Sequence, residues 1–399
     1  METAESTSSS EKEGAPDQTS EVSFGRLMGA REYSAFRKSR QPHNLDRSSE
    51  ADEHEDTGTT SRGLTVSPPP PPYPDVSALR QAIQTAEKPY TLSEEQVLFF
   101  RQNGFIRLRS VFDPHLLAAV RHAIVGIMLP ACKGRNPSEP SDPLPPAGTR
   151  VEEEEAKDLW HRMSEPQTKS WHIQMAWAID ETVRAMVLAP RLSSILCRLL
   201  ETPRVRLYHD NCLSRAPGCP TTKWHCDDGP GKHMITASEK VVTVWVPLQD
   251  TPCHMGALAF VRRDGRGGVS DSAVVPSAWT VAASDGCPDD EKSDAYDEFV
   301  SRLLEEREDL QVDCADYACG DVSIHSTNCF HTASPNTTTS VRMIMGTTYV
   351  ADGARARSEE EFEEVGEGKR KAWAKFCPGV GPGQELNSKL NPLLRVCRD

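Results

Sequence analysis

Trp224-His225-Cys226-Asp227 sets an imidazole and a carboxylate two residues apart. Side chains alternate along a strand, so on a strand His225 and Asp227 project from one face and can fill two adjacent positions of one metal. Taken alone the pair says little, because 12 histidines and 59 acidic residues make chance pairs common. A second segment, Phe330-His331-Thr332-Ala333-Ser334-Pro335-Asn336, brings another histidine far along the chain, and Arg342 follows it. Two histidines and one carboxylate on a β-scaffold make a facial triad suited to Fe(II), with positions left open for substrate and dioxygen. An arginine shortly beyond the last ligand offers a planar fork for a carboxylate held rigidly near the metal. Together these residues describe a metal site with an anion clamp.

The elements that must position them follow from local pattern. Thr91-Leu92-Ser93-Glu94 is a capping-box start and Gly104 a stop, which predicts a helix over 93–103, followed by an alternating strand over 105–108. Asp113-Pro114 opens a second helix to about 127, and helical texture returns at 156–163, 181–188 and 191–200. Beyond Pro203 strands dominate, at 205–209, 224–227, 241–248, 257–261, 322–326 and 342–350, with one acidic helix over 288–310. Helices first and short strands later, without alternating βαβ units, predict a mainly β sandwich or barrel core with flanking helices.

The chain has 399 residues and a formal net charge of −14, from 45 Lys and Arg against 59 Asp and Glu. That balance repels phosphate backbones and mildly disfavours a highly anionic substrate, so nucleic acid is not an expected partner. No run of apolar residues is long enough for a membrane span, and the acidic N-terminus does not read as a secretory signal. The 12 cysteines are irregularly spaced, which reads as reduced thiols in a cytoplasmic protein. Residues 1–75 are poor in apolar side chains and read as a disordered tail ending in the polyproline 68–72, a stiff spacer or a ligand for a protein partner. Within it, 24–40 carries Leu27, Met28 and Phe36 among basic residues; a disordered basic patch is favoured over an amphipathic docking helix. The folded domain is then 76–399.

At these residues the chain resembles the phytanoyl-CoA dioxygenase family of Fe(II)- and 2-oxoglutarate-dependent oxygenases. The likeness runs over about 90–395 in ordered blocks at 92–108, 207–229, 241–260 and 320–342, and the tail Cys377-Pro378-Gly379-Val380-Gly381-Pro382-Gly383 with Asn391 and Pro392 also fits. The resemblance implies a double-stranded β-helix (a cupin-like jelly roll), with His225, Asp227 and His331 as iron ligands and Arg342 on the distal carboxylate of 2-oxoglutarate. Asn211 and Trp245 fall where the family contacts that cosubstrate, and His172 occupies the slot of a cosubstrate-binding Lys in the mammalian founding member. It implies that dioxygen is consumed, 2-oxoglutarate becomes succinate and CO2, and a C–H bond of a small organic molecule is hydroxylated or otherwise oxidised. Two departures stand out: Ala333 replaces a helpful hydroxyl, leaving Thr332 or Ser334 to compensate, and Arg262-Arg263-Asp264-Gly265 replaces Pro-Gly-Ser-His at the mouth of the site.

Rival chemistries are weaker. Cys314, Cys319, His325 and His331 have zinc-ligand types and would make an interaction module, as would a catalytically inactive jelly roll, but alternation on a strand splits those ligands between faces. His325 reads as a strand residue near the site. His209-Asp210 resembles an acid–base pair, yet no nucleophile motif accompanies it. Trp171 and Trp177 read as core, and Cys212, Cys219 and Cys226 as small buried residues.

Overall fold

The computed structural model describes residues 26–39, 73–132, 153–164, 170–227, 234–236, 240–262, 289–307 and 310–396. In chain order the strands are β1 (Arg26–Met28), β2 (Phe105–Leu108), β3 (Ser170–Gln174), β4 (Val205–Arg215), β5 (Thr222–His225), β6 (Val241–Pro247), β7 (Leu258–Arg262), β8 (Gln311–Cys314), β9 (Val322–Ser326), β10 (His331–Ala333) and β11 (Arg342–Ala351). The helices are α1 (Ala30–Lys38), α2 (Val76–Ala86), α3 (Glu94–Asn103), α4 (Pro114–Cys132), α5 (Glu153–Met163), α6 (Glu181–Val187), α7 (Pro190–Leu200), α8 (Asp289–Glu306), α9 (Glu359–Glu364) and α10 (Glu367–Phe376). Local chemistry sets several boundaries. The capping box on α3 is closed by Ser93 and Gln96, two residues on from the expected Thr91–Glu94 pair, and the helix stops at Gly104 with φ +76. Asp75 and Asp180 cap α2 and α6 by accepting backbone N–H groups, and Pro190 opens α7 at a position where its missing N–H costs nothing.

The strands form two antiparallel sheets, β2-β9-β6-β11-β4-β3 and β1-β8-β7-β10-β5. This is the expected jelly roll with helices around it. Phe105 of β2 stacks on Phe260 of β7 with ring centroids 4.4 Å apart, so both rings lie between the sheets and mark their inner faces. From Phe105 the register carries that face through His325, Thr243, Thr348 and His209. From Phe260 it passes to His331 and then to His225. Arg107 of β2 also crosses between the sheets to the Asp313 carboxylate of β8, and its Nε donates to the Tyr317 hydroxyl at 2.9 Å. Removing one partner of a buried ion pair of this kind costs about 3–5 kcal/mol. The outer face of the larger sheet packs on the helices in the main core, where Leu116, Val120, Ile195, Leu196, Met343 and Met345 are fully buried.

The sequence-based helices all form, within a few residues of their expected limits. Elements not expected are β3, β8, β10, α2, α9 and α10, and, inside the supposed tail, β1 and α1. β1 pairs with β8 along Leu27 and Asp313, and α1 seats Tyr33, 1% exposed, in a second apolar cluster with Trp224, Cys314, Val300 and Phe330 on the outer face of the smaller sheet. Residues 26–39 are thus an ordered arm rather than a disordered basic patch. The polyproline run with most of the rest of the tail, positions 133–152, and positions 263–265 lie outside the described residues. Among the described residues no disulfide joins the cysteines, and no helix is long and apolar enough to cross a membrane.

Candidate metal centre

His225 ends β5 and His331 begins β10, and the two are direct register partners on adjacent antiparallel strands. Their rings lie 4.1 Å apart on the inner face. Asp227 follows two residues after His225, and one ligand atom from each of the three lies within 4.8 Å of the others. Each imidazole is oriented from behind: His225 Nδ1 lies 2.8 Å from the Lys223 carbonyl and His331 Nδ1 lies 2.9 Å from the Cys329 carbonyl. A carbonyl can only accept, so Nδ1 carries the proton in both rings and Nε2 presents its lone pair to the cluster. Burial, then His225 and His325, hold the His331 pKa well below its ordinary 6.5, which keeps it neutral and ready to ligate at neutral pH.

The Asp227 carboxylate is divided between two tasks. Oδ2 accepts the Thr243 hydroxyl at 2.9 Å and faces His325 Nε2 at 3.3 Å, while Oδ1 lies 4.0 Å from His331 Nε2. The outer oxygen is therefore fixed by β6 and β9, and the inner one turns toward the two histidines. His325 belongs to this orienting layer, as its placement near but outside the ligand set anticipated.

Arg342 opens β11 and is 3% exposed. Its Nη1 donates to the Gly256 carbonyl at 2.6 Å, its guanidinium sits 5.9 Å over the Trp245 ring, and its Nε is buried with no acceptor among the described residues. Trp245 on β6 and Asn211 on β4 both pair with Gly346 of β11, and Gln174 of β3 pairs with Asn211, so all share the inner face. His172 of β3 is opposite Leu213 and two residues along that same face. Its pKa is lowered by burial, then by Arg215 and Arg342, which places both arginines close to it. All seven sequence-derived site residues thus face the same side, with His172 exposed to solvent there.

Gly346 is a site residue that sequence reasoning missed. It leaves the inner face bare between Trp245 and Asn211, and the nearest heavy atom to an added Cβ there is 3.7 Å away. A glycine inside the otherwise well-filled strand 342–351 was the available signal for close approach by a ligand. Thr332 and Ser334 do not replace the hydroxyl absent at Ala333. Alternation turns them to the opposite face from His331 and Ala333, and Thr332 Oγ1 donates to the Thr222 carbonyl.

The rival sites come apart. Cys314 contacts Cys253 on the outer face of the smaller sheet, whereas His325 and His331 face inward. The His225, Asp227 and His331 group is the one cluster of three potential ligands among the described residues. His209 stacks on Phe376, while Asp210, its neighbour on the opposite face of β4, accepts the Trp177 N–H at 3.0 Å. Asn336 is buried with its amide bonded to the Arg215 and Ser340 carbonyls.

The donor set fits a divalent iron: two neutral imidazoles and one carboxylate on one side, with a buried cation across the same interior for an anionic cosubstrate. Jelly rolls built this way include the non-haem iron, 2-oxoglutarate-dependent oxygenases, and this chain is one of them, with Fe(II), 2-oxoglutarate and dioxygen as its cofactor and cosubstrates. It belongs to the phytanoyl-CoA dioxygenase (PhyH) family, whose profile matches residues 100–344, well over half the chain. A search of curated sequences gives no significant match. Among solved structures the fold is similar to the non-haem alpha-ketoglutarate-dependent carbocyclase SnoK from nogalamycin biosynthesis, with 22% identity, TM-score 0.52, and coverage of 77% of this chain and 100% of that one. It is also similar to the epimerase SnoN in complex with Fe3+, alpha-ketoglutarate and nogalamycin RO, at 18% identity, TM-score 0.50, and coverage of 76% and 98%.

Proposed function

We propose that the protein oxidises an unactivated C–H bond of a small organic molecule, with His225, Asp227 and His331 holding the iron and Arg342 anchoring the distal carboxylate of 2-oxoglutarate. The observation that carries this reading is the pair of Nδ1-to-carbonyl contacts behind His225 and His331, which present both Nε2 lone pairs for ligation in a cluster with Asp227. Asn211, Trp245 and His172 line the cosubstrate pocket, and Gly346 leaves it room. The bound iron and cosubstrate supply the activation of dioxygen. The chain's own residues supply the rest. Thr243 and His325 hold Asp227 in place, Arg342 sets the cosubstrate's direction, and Phe260, Trp245 and Tyr317 keep the surroundings apolar. With Asp227 filling the third protein position, hydroxylation is favoured over halogenation, which needs that position for a halide. The two structural relatives named above are a carbocyclase and an epimerase, so cyclised, epimerised or desaturated products are further outcomes of the same assay.

The test supplies anaerobically purified protein with Fe(II), 2-oxoglutarate, dioxygen and an untargeted metabolite pool, and follows succinate formation and product masses. Wild type should form succinate coupled to an oxidised metabolite and no chlorinated product at high chloride. Asp227→Gly should lose most of its iron and nearly all turnover. Full iron and activity in Asp227→Gly would withdraw the ligand assignment.

A further inference from the structure

Arg342 has a like-charged partner. Arg215, at the end of β4, is its direct register partner across the β11–β4 ladder. Opposed residues on one face of an antiparallel pair bring their Cβ atoms to about 4.5–5.5 Å, so two guanidiniums enter the same corner of the inner face. Arg215 Nη2 donates to the Pro220 carbonyl, which ties the side chain to the 216–220 turn, and its Nη1 is buried without an acceptor among the described residues. Arg342 Nε is likewise buried without one. No carboxylate among the described residues pairs with either group.

A buried Arg342 beside a partly buried Arg215, with the Cys219 thiol near Arg215 and no counter-charge among the described residues, opposes folding, and guanidinium N–H groups with no acceptor add to the penalty. Their mutual repulsion is visible on Arg342, which burial first and Arg215 second push down to about 9. An arrangement so unfavourable when empty becomes favourable when an anion lies between the two groups.

We infer that Arg215 is a second cation of the cosubstrate pocket, so that the distal carboxylate of 2-oxoglutarate lies between two guanidiniums rather than on Arg342 alone. The inference rests on the reading of Arg342 as the cosubstrate anchor. Arg342, held by Gly256 and Trp245, fixes the plane of the carboxylate. Arg215 adds charge and one N–H. A dicarboxylate 2-oxo acid satisfies the pair, and a 2-oxo acid with an uncharged tail does not, so Arg215 sets specificity as well as affinity.

The experiment titrates full-length protein, loaded anaerobically with Mn(II), with 2-oxoglutarate and reads quenching of intrinsic tryptophan fluorescence alongside metal content and melting temperature. Arg215→Gln should weaken 2-oxoglutarate at least tenfold with metal content unchanged. Its melting temperature without cosubstrate should equal or exceed that of wild type, because a buried repulsion is gone. Arg215→Lys keeps the charge and should lose less than threefold, which separates this position from Arg342, where Lys cannot replace the fork. A merely structural arginine would give a lower melting temperature and unaltered affinity in Arg215→Gln, and that result overturns the inference while leaving the Arg342 anchor intact. If Arg215→Gln does not fold, Arg215→Met takes its place, and unaltered affinity of that variant for 2-oxoglutarate overturns the inference while leaving the Arg342 anchor intact. Failure of wild type to bind 2-oxoglutarate at all would remove the anchor reading and this inference with it.

Discussion

Asp297 of α8 accepts the backbone N–H of Trp224 at 2.8 Å, one residue before His225. Among the described strands β5 lies at the edge of its sheet, and this carboxylate occupies part of that edge. Arg37 of α1 reaches the same Asp297 oxygen at 3.2 Å and lies 6.0 Å over the Trp224 ring, against which Tyr33 also packs. The N-terminal arm thereby braces the strand that carries the first histidine.

Truncation tests the brace. Removing residues 1–25 should leave melting and iron retention unchanged. Removing 1–39 uncovers Trp224 and leaves Asp297 without its cation, and should lower the melting temperature by about 5 °C or more, with weaker iron retention. Thermal melts and metal analysis of the two truncations decide it. Equal behaviour would mean that the arm does not support β5.

Thr243→Val keeps a β-branched side chain on β6 but removes the hydroxyl donor to Asp227 Oδ2. Outer partners of metal ligands typically contribute 10–100-fold in affinity, so iron affinity should fall by about that factor with the fold retained. Competition with a metal chelator measures it, and circular dichroism checks the fold.

Gly256 has φ +96, and an added Cβ would meet the Ser334 carbonyl at 3.0 Å and Arg342 Nη1 at 3.3 Å. Gly256→Ala should therefore displace the carbonyl that seats Arg342 and raise the apparent KM for 2-oxoglutarate about tenfold or more, with iron content unchanged. Arg342→Lys, which loses the bidentate fork, should raise it at least as much. An unaltered cosubstrate dependence in both variants would take Arg342 out of the pocket.

His172 provides a pH test. Its pKa is lowered from 6.5 by burial and by the two arginines, so the imidazole is protonated mainly below that value and is neutral from about pH 7.5 upward. Any contribution to cosubstrate binding in that range is a hydrogen bond and not a charge. The ratio of KM for 2-oxoglutarate in His172→Gln to that in wild type should then be flat between about pH 7.5 and 9. A step within that range would show a charged His172.

The sequence made the centre legible because its chemistry is local: His225 and Asp227 sit two apart, and His331 and Arg342 lie in one short segment. The helices were legible for a similar reason, since capping residues such as Ser93 and Gly104 act within a few residues of themselves. β3, β8 and β10 were not. Three to five residues carry too little periodicity, and 331–333 is a strand only because β7 and β5 flank it. The arm at 26–39 was hidden by its surroundings, a long polar segment whose average masks Met28 and Tyr33. Arg215 was overlooked because nothing in Leu213-Ser214-Arg215 announces a pocket. Its partner is set by the register of β4 against β11, which no local signal encodes.

The direct opposition of His225 and His331 ties metal loading to assembly. A metal bound to both closes a loop of about a hundred residues, and closing so long a loop carries a large entropic cost that only completed strand pairing offsets. His225 and Asp227 alone, neighbours in the chain, could catch an ion at any stage of folding, but weakly. The third ligand arrives when β10 docks between β5 and β7, and a slip of one residue in that pairing would turn His331 to the outer face. Tight iron binding is therefore a proofreading signal for the smaller sheet, because only a correctly registered chain can keep the metal.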